Sequence, residues 1–331
     1  MGAPVPLVEV YRSGRLESVH YGHVAVCDTQ GKVLFARGDP QQPSYWRSSA
    51  KLLQAVTVVH CGAAESLRLT DAELAVICAS HGAQALHVEA VTSILRKCGL
   101  TLDALLCGPH EPLHGPSAQA LLQAGHTPQR IHNNCSGKHA GMLAACRHRG
   151  WPTDTYLSPD HPLQQANRRV VGSFAGVRFE DVPLGTDGCG VPTFYLSMAH
   201  LATAYARLAN AKAAPTSYAG AAQRVTQAVC SHPVHIAWQG HFGTLLLEHL
   251  GTHVVAKGGA EGVFAAGLRG RDLGIALKIA DGSSRAIPPV MVRLLEQFLH
   301  EVPMDGFRRA VLEPIRNTRG DTVGEYRVVN L

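Results

Sequence analysis

Short alternating runs of apolar and polar residues open the chain. Residues 7–12, 22–28 and 33–37 alternate, are rich in Val and are bounded by the turn signals "SGR" and "TQGK". That period-two pattern predicts an N-terminal antiparallel meander. From about residue 48 the period becomes helical. "SSAKLLQAVTVVHCG" places Leu52, Ala55, Val56 and Val59 on one face and stops at Gly62. Further helical patterns fall near 84–98, 116–124, 138–148, 193–211 and 218–231. The last third returns to strands in "THVVAKGG", "GVFAAGLR" and "GIALKIADG". A helix near 286–301 and a short strand at "GEYRVVNL" follow.

Strands at both ends and helices between them predict an α+β fold. One antiparallel sheet is built from the N- and C-terminal strands, with a mostly helical central region packed on it. The βαβ alternation of a doubly wound sheet is absent. With no repeat, low-complexity tract or linker, residues 1–331 read as one catalytic domain. Its sheet subregion is expected at about 1–45 and 235–331, and its helical subregion at about 46–234.

Composition narrows the function classes. Hydrophobic residues make up 46% and charged residues 17%, which describes a folded globular chain rather than a disordered one. The net charge of +5 is spread along the sequence, with no basic arm, so nucleic acid is not an expected partner. No run reaches the roughly 18 apolar residues of a membrane helix, and the start "MGAPVP" carries neither a signal peptide nor a myristoylation pattern. The expectation is a soluble cytoplasmic protein acting on a small molecule, as a homodimer. Nine cysteines at irregular spacing, mostly inside apolar runs, read as free buried thiols.

Chemistry concentrates in a few stretches. "NNCSGKHAGML" (133–143) has a Gly-Lys pair but lacks the spacing and final hydroxyl of a phosphate loop. "WRSSAKLLQA" sets Ser48 three residues before Lys51, neighbours on a helix surface. A serine beside a lysine that burial keeps neutral is an activated nucleophile. Its alternative is an N-cap followed by an ordinary lysine. "AVICASHGAQ" ends a buried run at Ser80, as the lip of a cleft or as a turn. "HVVAKGGAEG" puts Lys257 at a strand end before two glycines, either solvated or held in a pocket. "GTDGCGVPTF" alternates Asp187 and Cys189 with glycines. Cys135 and Cys189 offer two soft ligands, and His139, Asp187 or Lys138 could complete a metal set. A reversible Cys135–Cys189 disulfide is the redox alternative.

Taken in order, "RSSAK", "CASH", "NCSGKHAGML", "GTDGCGVPT" and the glycine-flanked Lys257 resemble the Rhizobium etli-type L-asparaginases, the asparaginase II family. The resemblance runs from about residue 7 to the C-terminus, with the third and fourth blocks the most specific and the Lys257 region the loosest. It implies a fold like that of serine β-lactamases and glutaminases, and hydrolysis of L-asparagine to L-aspartate and ammonia. It implies two Ser–Lys pairs, Ser48 with Lys51 and Ser80 with Lys257. It also implies a zinc ion on Cys135, Lys138 and Cys189. The resemblance leaves His139 and Asp187 for substrate, and Arg47 is the expected partner of its carboxylate. Ser48 is favoured as nucleophile because its lysine lies one helical turn away. The competing readings are a zinc-dependent amide hydrolase, a glutaminase, and a non-catalytic zinc- or amino-acid-binding protein.

Overall fold

The computed structural model describes residues 2–331. Its main sheet is antiparallel throughout. Strands β1 (Val5–Arg12), β2 (Arg15–Asp28) and β3 (Val33–Arg37) form the expected meander. A small second sheet holds β4 (Pro43–Tyr45), β5 (Leu184–Thr186) and β6 (Pro192–Ser197). Strands β7 (Val254–Gly259), β8 (Val263–Leu268), β9 (Leu273–Ile279), β10 (Ile315–Arg316) and β11 (Thr322–Val328) close the chain. The main sheet runs β10-β11-β1-β2-β9-β8-β7, with β3 also on β2. Strand β2 carries 14 residues and joins the two halves: its first part pairs β1, and its second part is held between β3 and β9. The α+β architecture with a sheet built from both termini is therefore observed.

The sheet is covered on both faces, which the sequence reading did not foresee. Ala25, Cys27, Val255, Val263, Ala265 and Ala276 pack into the helical region. Val24, Val26, Ala256, Phe264, Ala266 and Leu277 pack against the helices Phe242–Leu250 and Ile287–Phe298. This explains why β8, "VFAAGL", is buried at every position and does not alternate. Along β7, Lys257 shares the parity of Val255 and so faces the helical region.

Several elements differ from expectation, among them the helices Pro162–Ala175 and Phe242–Leu250, where no helical pattern was read. The segment 193–211 begins as β6 and turns helical only at Met198–Ala209, because Ser197 caps that helix by accepting from the His200 N–H. The run "DAELAVI" is a helix, Asp71–Ile77, started by a capping box between Thr70 and Glu73. Among the described residues, no helix is long and apolar enough to cross a membrane. All nine cysteines are free, with Cys61 and Cys230 half-buried and the others buried.

Candidate active site

Three short pieces of backbone are clamped together around one cleft. The first is the 3-10 turn Arg47–Ala50, which runs into the helix Lys51–His60. Arg47 has φ +48, in the left-handed region, a conformation costly for a residue with a side chain and common at functional sites. The turn lies flat on β7: Ser49 Oγ donates to the Lys257 carbonyl at 3.1 Å, and the Tyr205 hydroxyl donates to the Ser49 carbonyl at 2.7 Å. A Cβ on Gly259 would meet the Trp46 carbonyl at 2.9 Å, so the glycine after Lys257-Gly258 permits this approach.

The second piece is the loop after helix Asp71–Ile77. Ser80 N–H donates to the Ile236 carbonyl at 3.0 Å, His81 N–H to Asn134 at 3.2 Å and Gly82 N–H to Ala237 at 2.8 Å. His81 is fully buried. Its Nδ1 accepts from the Ala83 N–H at 3.2 Å, which leaves Nε2–H to donate to Ser136 Oγ at 2.8 Å. Burial first, then the nearby His87 and Lys51, pushes this imidazole well below its ordinary pKa, so it serves as a neutral strut beside Ser80.

The third piece is the opening of the helix Ser136–Arg149. Its two glycines are packing devices rather than a phosphate cradle. A Cβ on Gly137 would stand 2.1 Å from the Val76 carbonyl, and one on Gly141 would stand 2.6 Å from Ile77. Gly137→Ala is therefore expected to destabilise the protein by about 1–3 kcal/mol through overpacking. Urea denaturation is the check, and an unchanged midpoint would contradict it.

At the centre, both lysine amines meet Ser80. Lys51 Nζ bonds Ser80 Oγ at 3.1 Å and the Ala79 carbonyl at 2.5 Å. Lys257 Nζ bonds Ser80 Oγ at 3.0 Å and the Gly258 carbonyl at 2.7 Å. The expected Ser48–Lys51 pairing thus differs in geometry. Lys51 lies one turn beyond Ser48 in sequence, yet its side chain extends to Ser80, 29 residues away. Ser48 is half-buried and lines the cleft with Ser80 and Lys257. Burial, then the nearby Lys51, lowers the Lys257 pKa to about 7.

Beside Ser48 lies a charged cluster. Arg47 Nε and Asp187 Oδ1 are 2.6 Å apart, so the two residues expected to take opposite ends of a substrate are paired with each other. Lys138 Nζ is 3.0 Å from Cys189 Sγ and 3.8 Å from Asp187 Oδ2. The Cys135 thiol hydrogen bond, opposed by burial and helped by Lys138, brings the Cys189 pKa down to about 5. The hydrogen bond with Cys189, then burial, pushes Cys135 up to about 12. Burial opposes charge on Lys138, but Cys189, Cys135 and Asp187 outweigh it and raise its pKa. The ligand atoms of Cys135, Asp187 and Cys189 lie within 4.8 Å of one another, a donor set that suits a soft divalent cation. Asp187 thus joins the two sulfurs, and a protonated Lys138 would have to lose its proton to serve as a ligand.

His139 is fully buried; its Nδ1 lies 2.7 Å from the Tyr156 hydroxyl, while Nε2 has no partner. Sequence reasoning missed Asn134, Trp238 and His241, which also line the cleft. Asn134 lay inside the stretch already singled out. His241 Nδ1 accepts from the Gly243 N–H at 3.0 Å, so its neutral ring carries the proton on Nε2. Burial, then Lys257, lowers its pKa to about 4.

No curated protein matches the chain. Among solved structures, the chain is similar to Mglu in its native form, at 14% identity and TM-score 0.48, covering 86% of this chain and 65% of that one. It is also similar to a β-lactamase from Mycobacterium bovis, at 16% identity and TM-score 0.41, covering 84% and 94%. A third is simvastatin synthase from Aspergillus terreus, at 12% identity and TM-score 0.40, covering 78% and 86%. The chain spans about two thirds of the length of the Mglu chains. The class of protein is an amidohydrolase of the asparaginase type. The family is given by the model for L-asparaginase II, which matches residues 8–328; the chain belongs to that family.

Proposed function

We propose that this amidohydrolase cleaves L-asparagine to L-aspartate and ammonia, with Ser48 as nucleophile and Lys51, Ser80 and Lys257 as its proton relay. The observation that carries the reading is the convergence of two buried lysine amines on Ser80 at the cleft that Ser48 lines. Ser80 is held between two amines, in the position of a group that passes protons. Ser48 lines the same cleft, and neither amine holds its hydroxyl.

In the proposed reaction, Ser48 Oγ attacks the side-chain amide carbon, and its proton passes by way of Ser80 to a neutral lysine. Ser80 and Lys257 carry a proton to the departing nitrogen. Water then cleaves the ester by the reverse path. Arg47 and Asp187 would part to receive the substrate carboxylate and ammonium. His139 would help hold the loop of the charged cluster.

Cys135, Lys138 and Cys189 would hold a zinc ion, with Asp187 in reach as a further ligand. Zinc, when bound, supplies a fixed positive charge beside the substrate pocket. Metal affinity should fall with falling pH, since protons compete for the sulfurs and the amine. Cys135→Ser and Cys189→Ser should each abolish stoichiometric zinc, measured by elemental analysis, and raise KM more than they lower stability. Wild-type protein that takes up no zinc would remove the metal from the account.

The test of the reaction is ammonia release from asparagine and from glutamine, with and without a chelator. Turnover of asparagine that survives chelation supports a serine–lysine mechanism. Activity that disappears on chelation and returns with zinc would favour a metal-dependent hydrolase.

A further inference from the structure

The cleft is larger and more apolar than an asparagine side chain requires. Its volume is about 350 Å³. The side near Arg47, Asp187, Lys138 and the two cysteines is charged. The cleft itself is walled by Leu113, Trp238, Phe242, Phe264, Ile287 and Pro288. Ser48, Ser80 and Lys257 share its lining, and the charged cluster adjoins it through Arg47, whose Cβ would stand 3.3 Å from a Cβ on the lining residue Gly259. Trp238 packs on His241, with ring centroids 4.4 Å apart, and Phe242 packs on Phe264 at 5.2 Å.

The proposed reaction decides which part of a substrate faces which wall. The amino-acid end is taken by Arg47 and Asp187. The nitrogen that leaves must face the groups that protonate it, Ser80 and Lys257, and both open onto the apolar cleft. Any substituent on that nitrogen would therefore enter the cleft. Ammonia from asparagine offers these six side chains nothing to bind.

We propose that the apolar cleft is a leaving-amine subsite, and that the protein cleaves β-amides of L-aspartate whose nitrogen carries an apolar group such as phenyl. This rests on the reaction proposed above. The bond from Ser48 Oγ to the carbonyl carbon forms and the C–N bond breaks. The Ser48 proton passes through the lysine relay to the nitrogen, and the amine departs neutral. Water then splits the ester, returns a proton to Ser48 and releases aspartate. An apolar substituent gains by leaving water, whereas a charged one loses hydration with no counter-charge on the apolar wall.

The test uses the purified full chain with L-asparagine and with L-aspartic acid β-anilide, following ammonia and aniline. The β-anilide is expected to be hydrolysed. Trp238→Ala should lower its kcat/KM about tenfold or more while leaving that for asparagine within about twofold. Leu113 is 43% exposed, so Leu113→Ala leaves folding intact and should lower anilide turnover selectively by a smaller factor. An enzyme that turns over asparagine but not the anilide overturns the subsite and leaves the proposed reaction standing. Equal losses on both substrates in the two variants also overturn it. Inertness toward both substrates overturns the reaction and the subsite together.

Discussion

The Ser48→Ala protein is expected to hydrolyse L-asparagine at least about a thousandfold more slowly than the parent, with its melting temperature nearly unchanged. Removing a nucleophile eliminates the covalent route rather than weakening it, and losses of this order or larger accompany such changes in serine hydrolases. The side chain is small and half-buried at the cleft, so the fold loses little packing. Ser80→Ala should also be severe, because it removes the one hydroxyl that both amines hold. It should retain more activity than Ser48→Ala, since water can replace a relay hydroxyl but not an acyl acceptor. Steady-state kinetics of the two variants check this. A Ser48→Ala loss under about tenfold would remove Ser48 from the chemistry, as tenfold corresponds to only about 1.4 kcal/mol of transition-state stabilisation.

Lys257→Met is expected to abolish most activity and yet raise the melting temperature at pH 7. Lys257 titrates at about 7 in the folded protein, against an ordinary value of 10.5. Between those values the unfolded chain binds a proton that the native protein does not. Stability therefore rises with pH across the window from about 7 to 10.5, and the penalty is fully present below it. Methionine fills similar volume without that penalty, so its advantage should be largest at pH 7 and shrink toward pH 10. The same titration sets the activity profile. Lys257 must start neutral to take a proton, so kcat/KM should rise with pH through an apparent pKa near 7. Thermal melts and a pH–rate profile test both halves. A variant less stable than the parent at pH 7 would contradict the buried, neutral lysine.

The N-terminal strands were legible because apolar and polar residues alternate along them, as in β1. The helices that carry strong periodicity, such as Lys51–His60 and Ala219–Ser231, were legible too. What failed were continuous apolar runs. "PTFYLSMAHLATAYARLA" hides a strand-to-helix change at Ser197, since both halves are buried and only the cap marks the border. "DAELAVI" is buried over most of its length, and its capping box, Thr70 with Glu73, was the signal available for it.

The candidate site divides in the same way. Ser48, Lys51, Ser80 and Lys257 could be picked out singly, because each is a polar residue at the edge of an apolar run. Their pairing could not. The reach of Lys51 to Ser80 depends on how the Arg47–Ala50 turn sits on β7, and that contact joins residues some two hundred positions apart. The charges that a free amino-acid substrate needs likewise suggested Arg47 and Asp187 for its opposite ends, whereas the fold pairs them at 2.6 Å. His241, Trp238 and Asn134 were missed because none breaks the pattern around it; only the cleft reveals them.

The central claim is that Ser48 forms the acyl-enzyme while Ser80 relays protons. It is tested most directly by inactivating the protein with a diazoketone analogue of asparagine, digesting it, and mapping the adduct by mass spectrometry. The account predicts one adduct per chain, on the peptide containing Ser48, blocked by asparagine and absent from Ser48→Ala. An adduct on Ser80, or asparagine turnover that proceeds with no serine ever labelled, would contradict it.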